Sequence, residues 1–270
     1  MQIAISTESL NRNTPEALEQ AAALGFKTVE INIQQEEFGY GYRRRTNSRF
    51  YRQLKKQLDE LGLRVWSVTS PPLTQEQMFF ERAHKDVLMS AAIAAGLMGA
   101  QVYVVSPADI FRSELAYESY VREDKSPPTV EGYDEAWVQA ANRHITTAIR
   151  NRNYWIGALL TNQTERLQKV ADDLAIGWAK DVRAALARNS MAAWLEAAGE
   201  RLAVAHLYDL DEERLCAPVD DEWREWLPQL AGTRLKCCVI HAPQEADPEA
   251  LARSRHYLEK ILRPANRGEG

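Results

Sequence analysis

Residues 1–33, MQIAISTESLNRNTPEALEQAAALGFKTVEINI, decide the fold. An apolar run from Gln2 to Ser6 gives way to a polar loop, and Thr14-Pro15-Glu16 then opens a helix. Thr14 is placed to cap orphan amides, and Pro15 suits the first helical position. Leu24-Gly25-Phe26 closes the helix, because Gly takes the left-handed conformation that stops one. Thr28 to Ile33 is the next β-branched run. The same order returns twice, with stops at Leu61-Gly62-Leu63 and Met98-Gly99-Ala100, each 37 residues after the last. Strands are expected after each, over Arg64 to Thr69 and Gln101 to Ser106.

These runs are apolar almost without interruption, as in Val102, Tyr103, Val104 and Val105, which suits a parallel sheet covered by helices. Further apolar runs at Tyr154 to Leu160, Ala175 to Lys180, Leu202 to Leu207 and Leu235 to Ile240 bring the candidate strands to eight. Helix-like segments at Thr164 to Leu174, Met191 to Ala198 and Asp221 to Leu230 separate them, and Pro248 to Leu262 closes the set. Eight βα units in a chain of 270 residues predict an α/β fold, a single (β/α)8 TIM barrel over residues 1–262. An open doubly wound sheet is the alternative, but neither GxGxxG nor GxxxxGK[ST] occurs. Ile110 to Thr129, long, charged and carrying Pro127-Pro128, reads as an inserted loop after strand four, and residues 263–270 as a flexible tail.

Composition narrows the partners. Lys plus Arg number 33 against 38 Asp plus Glu, a net charge of −5, so no global basic excess favours nucleic acid. Cys216, Cys237 and Cys238 are too few and too badly spaced for a disulfide framework or a CxxC zinc site, which fits a reducing compartment. No apolar run reaches the ~20 residues of a membrane span, and MQIAISTESL lacks the pattern of a signal peptide. A cytoplasmic protein with no membrane partner is expected. Cys237 and Cys238 should face opposite sides of their strand.

Several residues carry candidate chemistry. In the loop after strand two, Arg43, Arg44 and Arg45 stand beside Tyr40 and Tyr42, on what would be the active-site face of a barrel. Their planar forks suit a carboxylate or phosphate; a solvated run neutralised by Glu36 and Glu37 is the plainer reading. Glu30 sits in the apolar strand Thr28-Val29-Glu30-Ile31, where a carboxylate is costly unless paired, so it should face the mouth or meet an arginine. His206, also within an apolar strand, is either a base or ligand or else a hydrogen-bonded core histidine. His241 has a similar strand-end position.

The stretches MQIAISTESL, TPEALEQAAALGFKTVEI, LKKQLDELGLRVWSV, AAGERLAVAHLYDLD and ADPEALARSRHYLEKIL resemble the xylose-isomerase-like TIM-barrel superfamily. That superfamily includes sugar phosphate isomerases and epimerases and class II apurinic endonucleases. The resemblance implies a divalent metal held at the strand C-termini by Glu, Asp and His, but most of the implied positions are altered. Ser67-Val68-Thr69-Ser70 and Val105-Ser106-Pro107 stand where His is common, and Trp155 to Leu160 offers no Glu. Asp181-Val182-Arg183-Ala184 keeps the Asp of an Asp-x-x-His pattern and loses the His. Val204-Ala205-His206 keeps one His, followed by Tyr208 and Asp209, and Val239 aligns near the eighth strand's Glu. The expectation is therefore no metal cofactor and a degenerate metal site.

The resemblance then implies a divergent isomerase or epimerase that binds a small, polar, anionic molecule and moves a proton without a metal. His206 or Glu30 would be the base and Asp181 the orienting group. Arg43, Arg44, Arg45, Lys180 and Arg183, with Tyr208, Asp209 and His241, would bind substrate, Lys180 and Arg183 supplying the positive charge of the lost metal. A structural ion pair among Lys180, Asp181 and Arg183 is the alternative there. From another class, the chain would be a pseudoenzyme serving as a partner subunit in a biosynthetic pathway. A homo-oligomer is compatible with either.

Overall fold

The computed structural model describes residues 1–11, 13–33, 48–69, 91, 93–105, 156–160, 177–181, 202–208, 227–231, 235–242 and 246–262. Eight strands run β1 Gln2–Ser6, β2 Thr28–Asn32, β3 Arg64–Thr69, β4 Val102–Val105, β5 Ile156–Leu160, β6 Gly177–Asp181, β7 Leu202–Tyr208 and β8 Cys237–His241. Each pairs in parallel with the next, and β8 pairs with β1, so the sheet closes. This is the (β/α)8 barrel read from the sequence, with every strand at its expected place to within two residues. The expected loop 110–129 and tail 263–270 lie outside the described residues, as do the expected helices 164–174 and 191–198. Residues 227–230 are helical, inside the expected 221–230.

Alternation along the strands sorts side chains into two layers. Ala4, Trp66, Val102, Val104, Val204, Cys237 and Val239 fill the barrel interior. Ile3, Ile5, Val29, Ile31, Val65, Val68, Tyr103, Ala205, Leu207, Cys238 and Ile240 face outward and pack beneath the helices. Cys237 thus points inward and Cys238 outward, as expected for successive strand residues. On β3 the alternation changes phase, because Val29 pairs with Val65 but Glu30 pairs with Ser67. The extra residue is a bulge, after which the side chains of β3 exchange faces.

Two helices cover the opening strands: α1, Thr14–Ala23, and α2, Ser48–Glu60. α1 is capped by Asn13, whose side chain accepts from the Glu16 amide, and not by Thr14, which is itself the first helical residue. The one-residue shift puts Pro15 at the second helical position, where its missing N–H is still no loss. The helix Pro248–Ile261 is capped by Asp247, which accepts from the amides of Glu249 and Ala250. From it Arg255 donates to the Gly25 carbonyl at 2.8 Å and lies over the Phe26 ring at 5.7 Å. The last helix is thereby tied to the turn between α1 and β2, next to the β1–β8 seam.

Gly25, Gly62 and Gly99 stop their helices with φ of 78°, 66° and 73°. A side chain in that conformation costs ~1–2 kcal/mol. At Gly62 a Cβ would meet nothing within 4 Å, whereas at Gly25 it would lie 3.0 Å from Arg255 Nη2. Gly62→Ala should therefore destabilise by roughly 1 kcal/mol. Gly25→Ala should cost more, because it also displaces the arginine that anchors the last helix; urea unfolding of both variants measures the difference.

Candidate active site

The site lies at the C-terminal ends of the strands, where a barrel presents its loops. A 3-10 turn, Thr7–Ser9, crosses that end just after β1. Thr7 Oγ1 accepts from the backbone N–H of Asn32 at 3.3 Å, and Ser9 Oγ accepts from that of Ala242 at 2.8 Å. One turn therefore holds the ends of β2 and β8 against β1. The side-chain amide of Asn32 in turn donates to Glu8.

Inside this rim the carboxylate of Glu30 is fully buried. Ser67 Oγ donates to Glu30 Oε2 at 2.6 Å. His206 Nε2 lies 2.9 Å from the same oxygen, and His241 Nε2 lies 3.0 Å from Oε1. The two imidazole rings are 4.5 Å apart and tilted by 53°. Three strands distant in sequence, β2, β7 and β8, thus converge on one carboxylate, with β3 adding a hydroxyl.

A buried carboxylate survives only if its lone pairs are met. Burial works against the charge of Glu30, yet the attraction of His206 and hydrogen bonds from His206 and His241 outweigh it and hold the carboxyl well below its ordinary 4.5. Burial, then the neighbouring His206, pushes His241 below its ordinary 6.5, against the opposing pull of Glu30 and Glu8. His241 is therefore neutral at pH 7. Its Nε2–H donates to Glu30, which leaves the ring's lone pair on Nδ1. Side-chain exposure is 0% for Glu30, 1% for His206 and 10% for His241, so His241 is the member nearest the mouth.

Of the residues singled out in the sequence, Glu30, His206 and His241 meet. Of the two expectations for Glu30, facing the mouth or meeting an arginine, the first fits its place among Ser67, His206 and His241, and the arginines of the loop after β2 lie outside the described residues. Asp181 ends β6 and stands in register with His206; Lys180 pairs with Ala205, and Tyr208 with His241. Arg43, Arg44, Arg45, Arg183 and Asp209 lie outside the described residues. Val239, at the expected carboxylate position, is buried in the barrel interior, and His241 two residues on reaches the site. Ser67 is the functional residue that sequence reading missed. Strict alternation would send it outward with Val65, and only the bulge beside Glu30 turns it in.

The Glu30, His206 and His241 donor atoms all lie within 4.8 Å of one another. One carboxylate oxygen and two imidazole nitrogens, all buried, make a donor set that zinc, iron or manganese accepts. The sequence offers Asp181 and His206 as matched ligand types with Glu30, Asp209 and His241 as possible extras at strand ends, and among the described residues Glu30, His206 and His241 are the ones that cluster. Each contact to Glu30 now requires a proton on Nε2, and an ion would require the lone pair in its place.

No protein-family model matches the chain, and no curated protein matches it by sequence. Its fold has many counterparts among solved structures. The 3-keto-D-glucoside 4-epimerase of E. coli superposes with a TM-score of 0.69 at 15% identity, covering 96% of this chain and 99% of that one. A D-allulose 3-epimerase from Methylomonas sp. gives 0.68 at 14% identity, over 97% and 98%. A family 2 AP endonuclease from Brucella melitensis gives 0.63 at 11%, over 95% and 98%. These likenesses show the (β/α)8 barrel fold inferred from the sequence. Among the described residues no helix is long and apolar enough to cross a membrane.

Both shifted groups bind fewer protons in the folded than in the unfolded chain, so acid favours unfolding. Stability should fall as pH drops below 6.5, where unfolded His241 takes up its proton, and again below 4.5, where unfolded Glu30 does. Glu30→Gln should flatten the lower step, read from melting temperature against pH. Glu30→Ala leaves two buried imidazoles without their shared acceptor and should cost ~3–5 kcal/mol.

Proposed function

We propose that this protein is an isomerase or epimerase that moves a proton on the carbon beside a carbonyl of a small polar molecule. The observation that carries this reading is the convergence of Glu30, His206 and His241 at the barrel mouth. Enolisation needs a base with a lone pair at neutral pH and a counter-charge for the cation it becomes. His241 supplies the first through Nδ1, and Glu30 the second through its bond to Nε2. As Nδ1 takes the proton, the electron pair of the broken C–H bond passes into the carbonyl group. Protonation of the same carbon from the opposite face, by a second donor, gives an epimer; return of the proton to the former carbonyl carbon, with the neighbouring hydroxyl's proton passing to the former carbonyl oxygen, gives an isomer.

In this scheme Glu30 positions and charge-balances the base, as a carboxylate behind a histidine does in other proton-transfer sites. Ser67 and His206 both hold Oε2, the oxygen that His241 does not contact. The similarity of fold to sugar epimerases supports the assignment of reaction class. The anionic character of the substrate is supported by the sequence, through Arg43, Arg44, Arg45, Lys180 and Arg183. Glu30, His206 and His241 would also be the residues to hold a divalent ion, which when bound supplies Lewis-acid polarisation of the carbonyl oxygen.

Incubation with a panel of ketoses and keto acids in D2O should show solvent deuterium entering beside the carbonyl, read by proton NMR. His241→Ala and Glu30→Gln should each slow that exchange ~10²–10⁴-fold. Exchange at the wild-type rate in both variants would refute the assignment. Manganese or zinc added to chelator-treated protein should raise the melting temperature of the wild type and not of Glu30→Gln if the ion is held by this cluster.

A further inference from the structure

At the end of the barrel away from the mouth, a cavity of about 460 Å³ lies among the strand starts and the last turn of α2. Gln2, Thr28 and Arg64 open β1, β2 and β3 there, and Trp66, Gln101 and Lys55 add to its polar wall. Thr28 and Arg64 stand in register, so their side chains share a face of the sheet. Thr28 Oγ1 donates to Gln2 Oε1 at 3.2 Å, which uses the acceptor of that amide and leaves its N–H groups without a partner among the described residues.

The wall is rich in donors that nothing accepts from. Arg64 is exposed and makes no ion pair among the described residues. Asp59, a carboxylate on the same wall, is already paired with Lys55. Trp66 is 9% exposed, and its indole Nε1 is buried with no hydrogen-bond partner. Lys27 and Lys236, each just before a strand, are exposed and add positive charge at this end of a chain whose net charge is −5. Offsetting a helix dipole accounts for Lys55 and not for Arg64, because the closing carbonyls of α2 at Leu58 and Asp59 accept from the amides of Leu63 and Gly62. A guanidinium without a counter-charge, beside unspent amide and indole N–H groups, suits an anion rich in acceptors.

We infer that this cavity binds a small organic anion through a phosphate or carboxylate group, held by Arg64 with the N–H groups of Gln2 and Trp66 as neutral donors. A buried donor left unmet is costly, and such a ligand supplies the missing acceptor. The volume falls in the range of small-molecule sites, ~300–1,000 Å³. Catalytic loops of a barrel gather at the opposite face, so the ligand held here is distinct from the molecule turned over at Glu30 and His241.

The test titrates isotope-labelled protein at low salt with pyrophosphate and, separately, with citrate, following the indole N–H signals of the seven tryptophans by NMR. The signal missing from Trp66→Phe belongs to Trp66. It is expected to move downfield and saturate with at least one probe, and the probe that acts tells phosphate from carboxylate. Arg64→Gln should weaken the response roughly ten- to hundredfold. Arg64→Lys keeps the charge without the planar fork and should fall between. Arg64 is exposed, so both replacements leave the fold intact. His241→Ala, altered at the mouth, should respond as the wild type does. A Trp66 signal that neither probe moves, an undiminished affinity in Arg64→Gln, or loss of the response in His241→Ala overturns the inference.

Discussion

Among the described residues, the carboxylate of Glu30 is held inside the barrel above an apolar layer of Ala4, Trp66, Val102, Val104, Val204, Cys237 and Val239, and the architecture of the mouth follows from keeping it ionised. An unpaired charge in such a place is unsustainable, so donors must arrive at fixed distances. They come from three other strands, which closure of the sheet brings around one axis. β7 and β8 deliver histidines from far along the chain, and β3 delivers a serine. The carboxylate in turn ties together the strands that build the site.

Precision at this site comes from features that look incidental in isolation. The bulge opposite Val29 and Glu30 changes the phase of β3, so that Ser67 and then Thr69 face the interior. Without it, the outward layer would receive Ser67 and the barrel would lose a hydroxyl donor to Glu30. The short turn after β1 holds β2 and β8 at their C-terminal ends, which sets the height at which Glu30 and His241 meet. Such over-determination of a few side chains by rigid strands lets a barrel carry chemistry at its rim.

Proteins that share this fold include sugar epimerases and an AP endonuclease, so the scaffold leaves the reaction open. The choice is made by the donor set. In this chain the carboxylate comes from the second strand and is met by two imidazoles, an arrangement suited either to relaying a proton or to chelation. The two uses differ by the protons on two Nε2 atoms, so proton concentration and ion supply act on the same site. His241 is the most exposed of the three, and Glu30 and His206 are more deeply buried.

The sequence alone determined the barrel, because βα order, near-continuous apolar strands and glycine stops at a constant interval are local properties that each segment carries without its neighbours. It also marked Glu30, His206 and His241 as polar residues in apolar strands, since the cost of burying such groups is legible wherever they stand. What it did not contain was their meeting. His206 lies 176 residues from Glu30 and His241 lies 211, and only sheet closure makes them neighbours. Nor did it reveal Ser67, because alternation counted along β3 gives the wrong face once a bulge inserts a residue. Patterns within a strand are set by the chain's own chemistry, whereas register between strands is set by packing, and the site is made of register.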